Sequence, residues 1–425
     1  MKKGKLLVKG ASEVVTCSGF QAKKGKEMQD LKVIPNGSVV IEDGIIKAVG
    51  PTEEILKQYD ESQYEVIDAT GKAVLPGFVD SHTHLVFGGY RAEEFSWRLQ
   101  GQNYMEIMEK GGGIVSSVRS TKAASHDELY KVGMKRLDSM LSFGVTTVEG
   151  KSGYGLDLET EIKQLEVTNK VNEDHPVDVV PTFLGAHAVP PEYKGREDEF
   201  IDYMTNDVLP VVAERKLAEF CDIFCEKKVF SVEQSRRHLS KAKELGFKIK
   251  IHADEIVQLG GAELAAELGA VSADHLLQAS DKGVADMAEK NVVATLLPGT
   301  AFSLKEDFAR GRYMIDQGCA VALATDLNPG SCFTESIPLI FSLATLYMKM
   351  TTEETITAIT INGAAAVDRA DTIGSIDIGK KADMIMLEFP SYHYIPYHIG
   401  VSTVEKVIKN GVLVFDKEQG GGRLC

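Results

Sequence analysis

The stretch Leu75-Pro76-Gly77-Phe78-Val79-Asp80-Ser81-His82-Thr83-His84 is an apolar run that ends in two histidines one residue apart. If the run is a strand, side chains two residues apart project to the same face, so both imidazoles point the same way. Neutral imidazole is a good ligand for zinc, iron and related divalent metals. Most such pairs are ordinary surface or core histidines, so a metal site needs partners elsewhere in the chain.

Composition restricts the class of protein. The 425 residues are 44% hydrophobic and 26% charged, which is typical of a soluble globular protein. The net charge of −15 comes without a dense basic stripe, which argues against nucleic acid or an anionic membrane as a partner. We find no signal peptide and no membrane span, and the six cysteines are irregularly spaced, so we predict a cytoplasmic protein without a disulfide framework. Cys221 and Cys225 could bind a metal in principle, but a buried strand favours structural cysteines.

Both ends of the chain have the pattern of β-structure. Within residues 4–72, two apolar runs meet across Asp43-Gly44, which predicts a hairpin. β character returns at 381–387 and in a pair of runs around Asn410-Gly411. We expect the ends to pair as one small β-sandwich domain, and the predicted segments are 1–72 and 371–415 for that domain, 73–370 for an inserted catalytic domain and 416–425 for a disordered tail.

The middle of the chain alternates short apolar runs with helical stretches, which predicts a parallel sheet. The helical stretches include 127–143, 159–173 and 231–245, and the eight apolar runs are 73–80, 146–149, 177–184, 221–224, 248–251, 270–273, 292–297 and 320–324. Eight βα repeats fit a closed (β/α)8 TIM barrel, whose active site lies at the C-terminal strand ends. The alternative, a doubly wound open sheet, is disfavoured because no Gly-x-Gly-x-x-Gly follows the first strand.

Side chains suited to metal binding lie where the predicted strands end. Five of the ten histidines do so, at positions 82, 84, 187, 252 and 275. His82, His84, His252 and Asp326 would make a site for one divalent ion with a position left for water. Such an ion lowers the pKa of that water from about 15.7 towards 7. For Asp326 the alternative is an ordinary helix N-cap.

Hydrolysis also needs a group that moves the proton. Glu255 lies three residues past His252, where the strand becomes a loop, and fits the role of base. His275 can hydrogen-bond the carbonyl under attack or orient the water, and Asp326 can hold the water with its free oxygen. These residues predict a metal-dependent hydrolytic site.

Two stretches resemble signatures of the amidohydrolase superfamily, namely residues 75–84 at the first strand and residues 374–383 at the return to the small domain. Within it, the chain is similar to the imidazolonepropionase family over nearly its whole length, in the stretches 84–91, 111–114, 151–156, 183–191, 252–255 and 325–330. The resemblance implies a homodimer that opens the ring amide of 4-imidazolone-5-propanoate to N-formimidoyl-L-glutamate in histidine degradation. It also implies one metal ion, zinc or iron. The fourth run ends at Glu226 and Lys227, which we interpret as non-bridging.

The resemblance implies roles for individual residues. The metal ligands are His82, His84, His252 and Asp326, the catalytic residues are Glu255, His275 and Asp326, and the substrate contacts are Arg91, Tyr154, His187, Glu255, Asn328, Gly330 and Ser331. A guanidinium binds a carboxylate through two parallel bonds, which suits Arg91 to the propanoate. Tyr154, in a flexible loop between two glycines, is expected to close over the ring. The backbone amides of Gly330 and Ser331 are expected to serve the carboxylate as well.

Two other functions use the same fold. A deaminase of this superfamily, acting on a nucleobase or aminotriazine, would use the same metal ligands. Arg91 with Tyr154 and His187 suits a small ring that bears a propanoate better than a neutral base. A non-catalytic scaffold on the same barrel is disfavoured because such proteins tend to lose their ligands, which are all present here.

Overall fold

The computed structural model describes residues 4–102 and 112–424. Gly111 of the stretch 111–114 and the terminal Cys425 lie outside the described residues. Within those ranges, no helix combines the length and apolarity needed to cross a membrane. The strands fall into two eight-stranded sheets, which separate the predicted β-rich ends from the predicted βα repeats.

The strands and helices have the following bounds. The strands are β1 (Lys5–Val15), β2 (Val33–Glu42), β3 (Ile45–Pro51), β4 (Glu65–Asp68), β5 (Ala73–Pro76), β6 (Phe78–Asp80), β7 (Val145–Lys151), β8 (Asp178–Ala186), β9 (Phe220–Cys225), β10 (Lys248–Ala253), β11 (Ser272–His275), β12 (Val293–Leu296), β13 (Val321–Leu323), β14 (Met384–Leu387), β15 (Val404–Lys409) and β16 (Val412–Asp416). The α-helices of the described ranges are Thr52–Gln58, Ala92–Leu99, Ile114–Ala123, His126–Ser142, Leu158–Asp174, Glu197–Tyr203, Leu209–Glu214, Val232–Glu244, Gly261–Leu268, Asp281–Lys290, Pro298–Leu304, Gly311–Asp316, Ile337–Leu346, Thr352–Ile359, Ile361–Ala366 and Tyr394–Tyr397.

The first sheet joins the two ends of the chain. Its order is β16-β15-β14-β5-β1-β2-β3, with β4 beside β1. The predicted hairpin between β2 and β3 is confirmed, and its turn residues Asp43 and Gly44 have positive φ values of 51° and 79°. Apolar side chains from both ends, such as Val39, Met384 and Ile408, share one buried cluster. The expected pairing of the β-rich ends is therefore confirmed.

The second sheet is the predicted barrel. Strands β6 to β13 lie side by side in chain order, and each neighbouring pair is parallel. The loop ends of the first and last barrel strands close the circle, since Asp326 N donates to His82 O at 3.0 Å and His84 N donates to Leu327 O at 2.8 Å. All eight predicted runs overlap these strands. The closure itself places His82 and His84 against Asp326.

One predicted strand is wrong in its extent. The run 73–80 was expected to be a single barrel strand, but β5 belongs to the small sheet and only β6 belongs to the barrel. Gly77 lies at the break, and a Cβ added there would lie 2.3 Å from Thr146 Oγ1. Its amide donates to Asp383 O at 3.0 Å, while Phe78 N donates to Gly144 O at 2.9 Å. Adjacent residues therefore bond to different sheets.

The end of the chain also differs from the expectation of a disordered tail from residue 416. Asp416 is the last residue of β16, and its side chain accepts from Glu418 N at 3.0 Å. Lys417–Gln419 form a 3-10 turn, after which Leu424 N donates to Val414 O at 2.9 Å. The turn that Asp416 caps brings residues 420–424 back to the sheet. The domain bounds at 72, 370 and 415 stay predictions.

Candidate active site

The C-terminal ends of the barrel strands bring five imidazoles together. The ring centroids of His82 and His252 are 4.6 Å apart, and those of His82 and His275 are 5.3 Å apart. His187 stacks on His84 at 4.9 Å with an interplanar angle of 15°. All of these rings are buried except His187, which is partly exposed. The predicted convergence of these histidines is present in the structure.

The proposed ligand atoms point into one space. His82, His84 and Asp326 offer ligand atoms within 4.8 Å of one another, and His82 does the same with His252 and His275. Asp326 Oδ1 lies 3.5 Å from His82 Nε2 and 3.7 Å from His84 Nε2. His82 Nε2, His252 Nε2 and Asp326 Oδ1 are buried and have no hydrogen-bond partner. Buried polar atoms are rarely left unpaired, so this donor set fits a bound divalent cation.

Two aspartates lie at the Nδ1 atoms of these imidazoles, and one of them bonds to its histidine. His82 Nδ1 donates to Asp274 Oδ2 at 2.6 Å, and His252 Nδ1 lies 2.9 Å from Asp222 Oδ2. A carboxylate at Nδ1 keeps the proton on that nitrogen and leaves Nε2 free to bind a metal. Sequence reasoning missed both roles, although Asp274 stands in the quoted pair Asp274-His275.

Beneath the imidazoles lies a closed network of buried charges. Lys151 Nζ is 2.9 Å from Glu149 Oε1 and 2.7 Å from Asp222 Oδ2, and Lys250 Nζ is 2.8 Å from Glu149 Oε2. All four side chains are fully buried, as is Asp274. Burial opposes the charge of Lys151, but the surrounding carboxylates outweigh it and raise the pKa of Lys151. Burial likewise works to raise the pKa of Asp274, yet Lys250 and Lys151 lower it.

The lysines also explain why one cluster of donors is unsuited to a second ion. His82, Glu149 and Asp274 offer atoms within 4.8 Å of one another. Both Glu149 oxygens already accept from ammonium groups, and Asp274 Oδ2 is 3.6 Å from Lys250 Nζ. A cation there would face two ammonium groups, so this cluster is less suited to an ion than His82, His84, His252 and Asp326.

Glu255 and His275 lie together beside the ligand atoms. Burial, helped by the carboxylates of Asp326 and Glu226, raises the pKa of Glu255 to about 8. Burial lowers the pKa of His275 to about 4, which keeps its imidazole neutral near pH 7. Glu255 Oε2 and His275 Nδ1 are 3.6 Å apart, too far for a direct hydrogen bond. Glu226 accepts from Ile256 N at 2.8 Å and so holds the loop that carries Glu255.

Asp326 is not a helix cap in the structure. The next helix, Ile337–Leu346, is capped by Ser336, which accepts from Leu339 N. Asp326 Oδ2 accepts from Thr300 Oγ1 at 2.5 Å, which leaves Oδ1 facing the imidazoles. Asp326 and His275 have positive φ values of 52° and 76°, and such strain is common at functional sites.

Asn328 organises the loop after the last barrel strand. Its Oδ1 accepts from Gly330 N and Ser331 N, both at 2.8 Å, and its Nδ2 donates to Asp326 O at 2.8 Å. Both amides are bonded to Asn328 in this structure, and the expectation that they serve the substrate carboxylate stays a prediction. The loop does approach Arg91, since a Cβ added at Gly330 would lie 2.3 Å from Arg91 Nη1.

Tyr154 lies on a fixed loop rather than a flexible one. Glu161 accepts from Gly153 N, Gly155 N and Leu156 N at 3.1, 2.8 and 2.9 Å. The Tyr154 ring is buried, with its centroid 5.6 Å from that of His84 and 5.3 Å from that of His187. Glu161 lies on the following helix, so the glycines of the loop gave no sign of it.

The sequence of this chain is similar to those of known proteins over nearly its full length. The family model described as "Amidohydrolase family" matches residues 65–117 and 115–415. The chain is 67% identical to the imidazolonepropionase of Clostridium tetani over 98% of this chain and 100% of the relative. It is 59% identical to the imidazolonepropionase of Parabacteroides distasonis over 97% and 99% of the two chains.

Solved structures of lower identity share the fold. A triazine hydrolase variant superimposes with a TM-score of 0.73 at 15% identity, over 98% of this chain and 96% of that chain. An adenosine deaminase from Xanthomonas campestris with bound zinc gives a TM-score of 0.69 at 19% identity, over 96% and 92%. At these identities the likeness concerns the fold alone.

Proposed function

Because the chain belongs to the amidohydrolase family and its curated relatives are imidazolonepropionases, we propose that its strand-end site hydrolyses the ring amide of 4-imidazolone-5-propanoate to N-formimidoyl-L-glutamate. One observation carries the chemistry: three potential metal-binding atoms, His82 Nε2, His252 Nε2 and Asp326 Oδ1, are buried together without a hydrogen-bond partner. No observation in the site favours deamination over this reaction.

His82, His84, His252 and Asp326 are the ligands we assign to one divalent ion, zinc or iron. Three imidazoles with a carboxylate are a donor set that suits either metal. Asp274 and Asp222 support the assignment because Asp274 accepts from His82 Nδ1 and Asp222 lies beside His252 Nδ1, which leaves both Nε2 atoms for the site. When bound, the ion supplies Lewis acidity, which makes water a nucleophile at neutral pH.

Glu255 transfers the proton in this proposal. The water oxygen forms a bond to the ring carbonyl carbon, the bond from that carbon to the ring nitrogen breaks, and Glu255 carries the water proton to the nitrogen. A pKa of about 8 suits a group that accepts and returns a proton near neutral pH. His275, neutral at that pH, donates a hydrogen bond to the carbonyl oxygen as negative charge develops on it.

Arg91 binds the propanoate carboxylate, while Tyr154 and His187 contact the planar ring. Arg91, Gly330 and Ser331 line a cavity of about 480 Å³ that borders the eighth loop but is not lined by the assigned metal ligands. Asn328 shapes that loop. Glu255, beside the ligand atoms, also contacts the ring nitrogen to which it delivers the proton. A homodimer and a cytoplasmic location stay predictions from the sequence.

The test follows loss of 4-imidazolone-5-propanoate and appearance of N-formimidoyl-L-glutamate with the purified protein. We expect turnover that a chelator abolishes and that zinc or ferrous iron restores, with one metal ion per chain. Absence of the product would overturn the reaction. Undiminished turnover by protein shown to contain no metal would overturn the metal assignment.

A further inference from the structure

Arg91, the residue assigned to the substrate carboxylate, is already held by an acidic side chain. It precedes the helix Ala92–Leu99, and Glu94 lies in the first turn of that helix. Arg91 Nε donates to Glu94 Oε2 at 2.9 Å, and Nη2 contacts the other oxygen of the same carboxylate. The two side chains are only 14% and 11% exposed, so water competes little for this pair.

Glu94 makes a second contact that fixes its own position. Its Oε2 accepts from Gly113 N at 2.7 Å, which ties the carboxylate to the backbone just before the helix Ile114–Ala123. Burial works to raise the pKa of Glu94, but the bonds from Arg91 and Gly113 outweigh it and hold the pKa below its usual value. The carboxylate is therefore ionised at neutral pH and anchored independently of Arg91.

A guanidinium has two edges that can each bind a carboxylate. Glu94 occupies the edge made by Nε and Nη2, which leaves the edge made by Nη1 and the second proton of Nη2. At Nη1 this second edge lies against the eighth loop, since a Cβ on Gly330 would lie 2.3 Å from Nη1. Both Arg91 and Gly330 line the cavity of about 480 Å³.

We propose that Glu94 is a positioning residue for substrate binding: it fixes the guanidinium of Arg91 so that the outer edge faces the propanoate of the substrate. The inference rests on the proposed function, because it deepens the role given there to Arg91. Ordering Arg91 in advance removes part of the cost of immobilising a long side chain when the substrate binds.

The test compares KM and kcat of the metal-loaded wild type, Glu94→Gln, Arg91→Ala and the double variant. A glutamine amide has one accepting oxygen in place of two and no charge, so it cannot keep the two-oxygen pairing with Nε and Nη2, and we expect KM to rise about tenfold in Glu94→Gln, with a smaller change in kcat. In the Arg91→Ala background, the same substitution should leave KM unchanged, because Glu94 acts through Arg91.

Glu93→Gln is the matched control, since Glu93 is exposed in the same helical turn and loses the same charge. Its KM should equal that of the wild type. A substrate analogue with an uncharged amide in place of the carboxylate should react equally well with the wild type and Glu94→Gln.

Three results would overturn the positioning role: an unchanged or lower KM in Glu94→Gln, an equal rise in the Arg91→Ala background, or an equal rise in Glu93→Gln. Wild-type protein that does not hydrolyse the imidazolone would overturn the proposed function as well. Turnover by the wild type with an unaltered KM in Glu94→Gln would overturn the role of Glu94 alone.

Discussion

His252 and His238 are both fully or almost fully buried, yet their surroundings differ. Burial lowers the pKa of His238 to about 4 and that of His252 well below its usual range. Both nitrogens of His238 have partners, namely Thr205 Oγ1 at 2.8 Å and Cys221 Sγ at 3.4 Å. Neither ring nitrogen of His252 has a hydrogen-bond partner, although Asp222 Oδ2 lies 2.9 Å from its Nδ1. Burial and a lowered pKa are common to both residues, so the unpaired ring nitrogens are what set His252 apart from His238.

The position in the barrel explains this difference. His252 lies on β10 and points to the strand ends, whereas His238 lies on the helix Val232–Glu244 that covers the barrel from outside. A histidine packed between a helix and a sheet must satisfy both nitrogens locally. A histidine in a metal site leaves one nitrogen for the ion.

The largest effect on metal content and turnover should appear when each of these two histidines is replaced by asparagine in a separate variant. His252→Asn removes a ligand, so we expect loss of bound metal and a fall in turnover of about 10³-fold or more. His238→Asn should keep one metal ion per chain and near-normal turnover, because it lies outside the site. Metal analysis and steady-state kinetics of the two variants measure this. Full metal content in His252→Asn would break the distinction between the two histidines.

Glu255→Gln separates metal binding from proton transfer within the same region. The variant should retain its metal and fold, while kcat falls about 10²-fold or more because the amide cannot accept the proton. The measurements are metal content and kcat at pH 7. Near-normal turnover would exclude Glu255 as the base.

Asp222→Asn tests what makes His252 different from His238. Asparagine removes the negative charge 2.9 Å from His252 Nδ1, so we expect metal affinity to fall by about 10- to 100-fold. Competition with a chromophoric chelator gives the affinity. An affinity equal to that of the wild type would show that Asp222 does not orient the ligand.

The smallest effect concerns pH. The unfolded chain protonates His238 near pH 6.5, whereas the folded protein resists protonation until about pH 4. Unfolding therefore takes up a proton in this window, and stability is lost as the pH falls from about 6.5 to 4, by at most about 3 kcal/mol for this residue. Denaturant unfolding of the metal-free wild type and His238→Asn between pH 7 and 4 gives the free energy of unfolding at each pH. This free energy should fall less with decreasing pH in the variant than in the wild type. The same dependence of unfolding free energy on pH in both proteins would contradict the lowered pKa of His238.

Much of the fold can be predicted from the sequence because the pattern of an apolar run followed by a helical stretch repeats. Eight apolar runs, each followed by a helical stretch, predict the barrel, and polar residues at the run ends predict the convergence of His82, His252 and Asp326. The break at Gly77 was missed, although the Pro76-Gly77 pair is itself a known interruption of regular structure. The continuous apolar character on both sides of the pair concealed the change of sheet.

The supporting groups could not be predicted in the same way. Lys151, Lys250 and Asp222 lie on three different strands, and only closure of the barrel brings their charges within hydrogen-bonding distance. A lysine in a strand pattern is ordinarily a surface residue, and nothing local marks it as buried. Glu161 and Glu94 each bond to the segment just before their own helix, and no sequence pattern described above links a glutamate in a first helical turn to such a loop.

The division of the run at Gly77 has a consequence for synthesis of the protein. Strand β5 is held by β1 on one side and by β14 on the other, and β14 spans residues 384–387. On the ribosome, the segment that leads into His82 and His84 therefore lacks one of its neighbours until almost the whole chain has emerged. The order of translation thus delays assembly of the proposed metal site until the polypeptide is nearly complete.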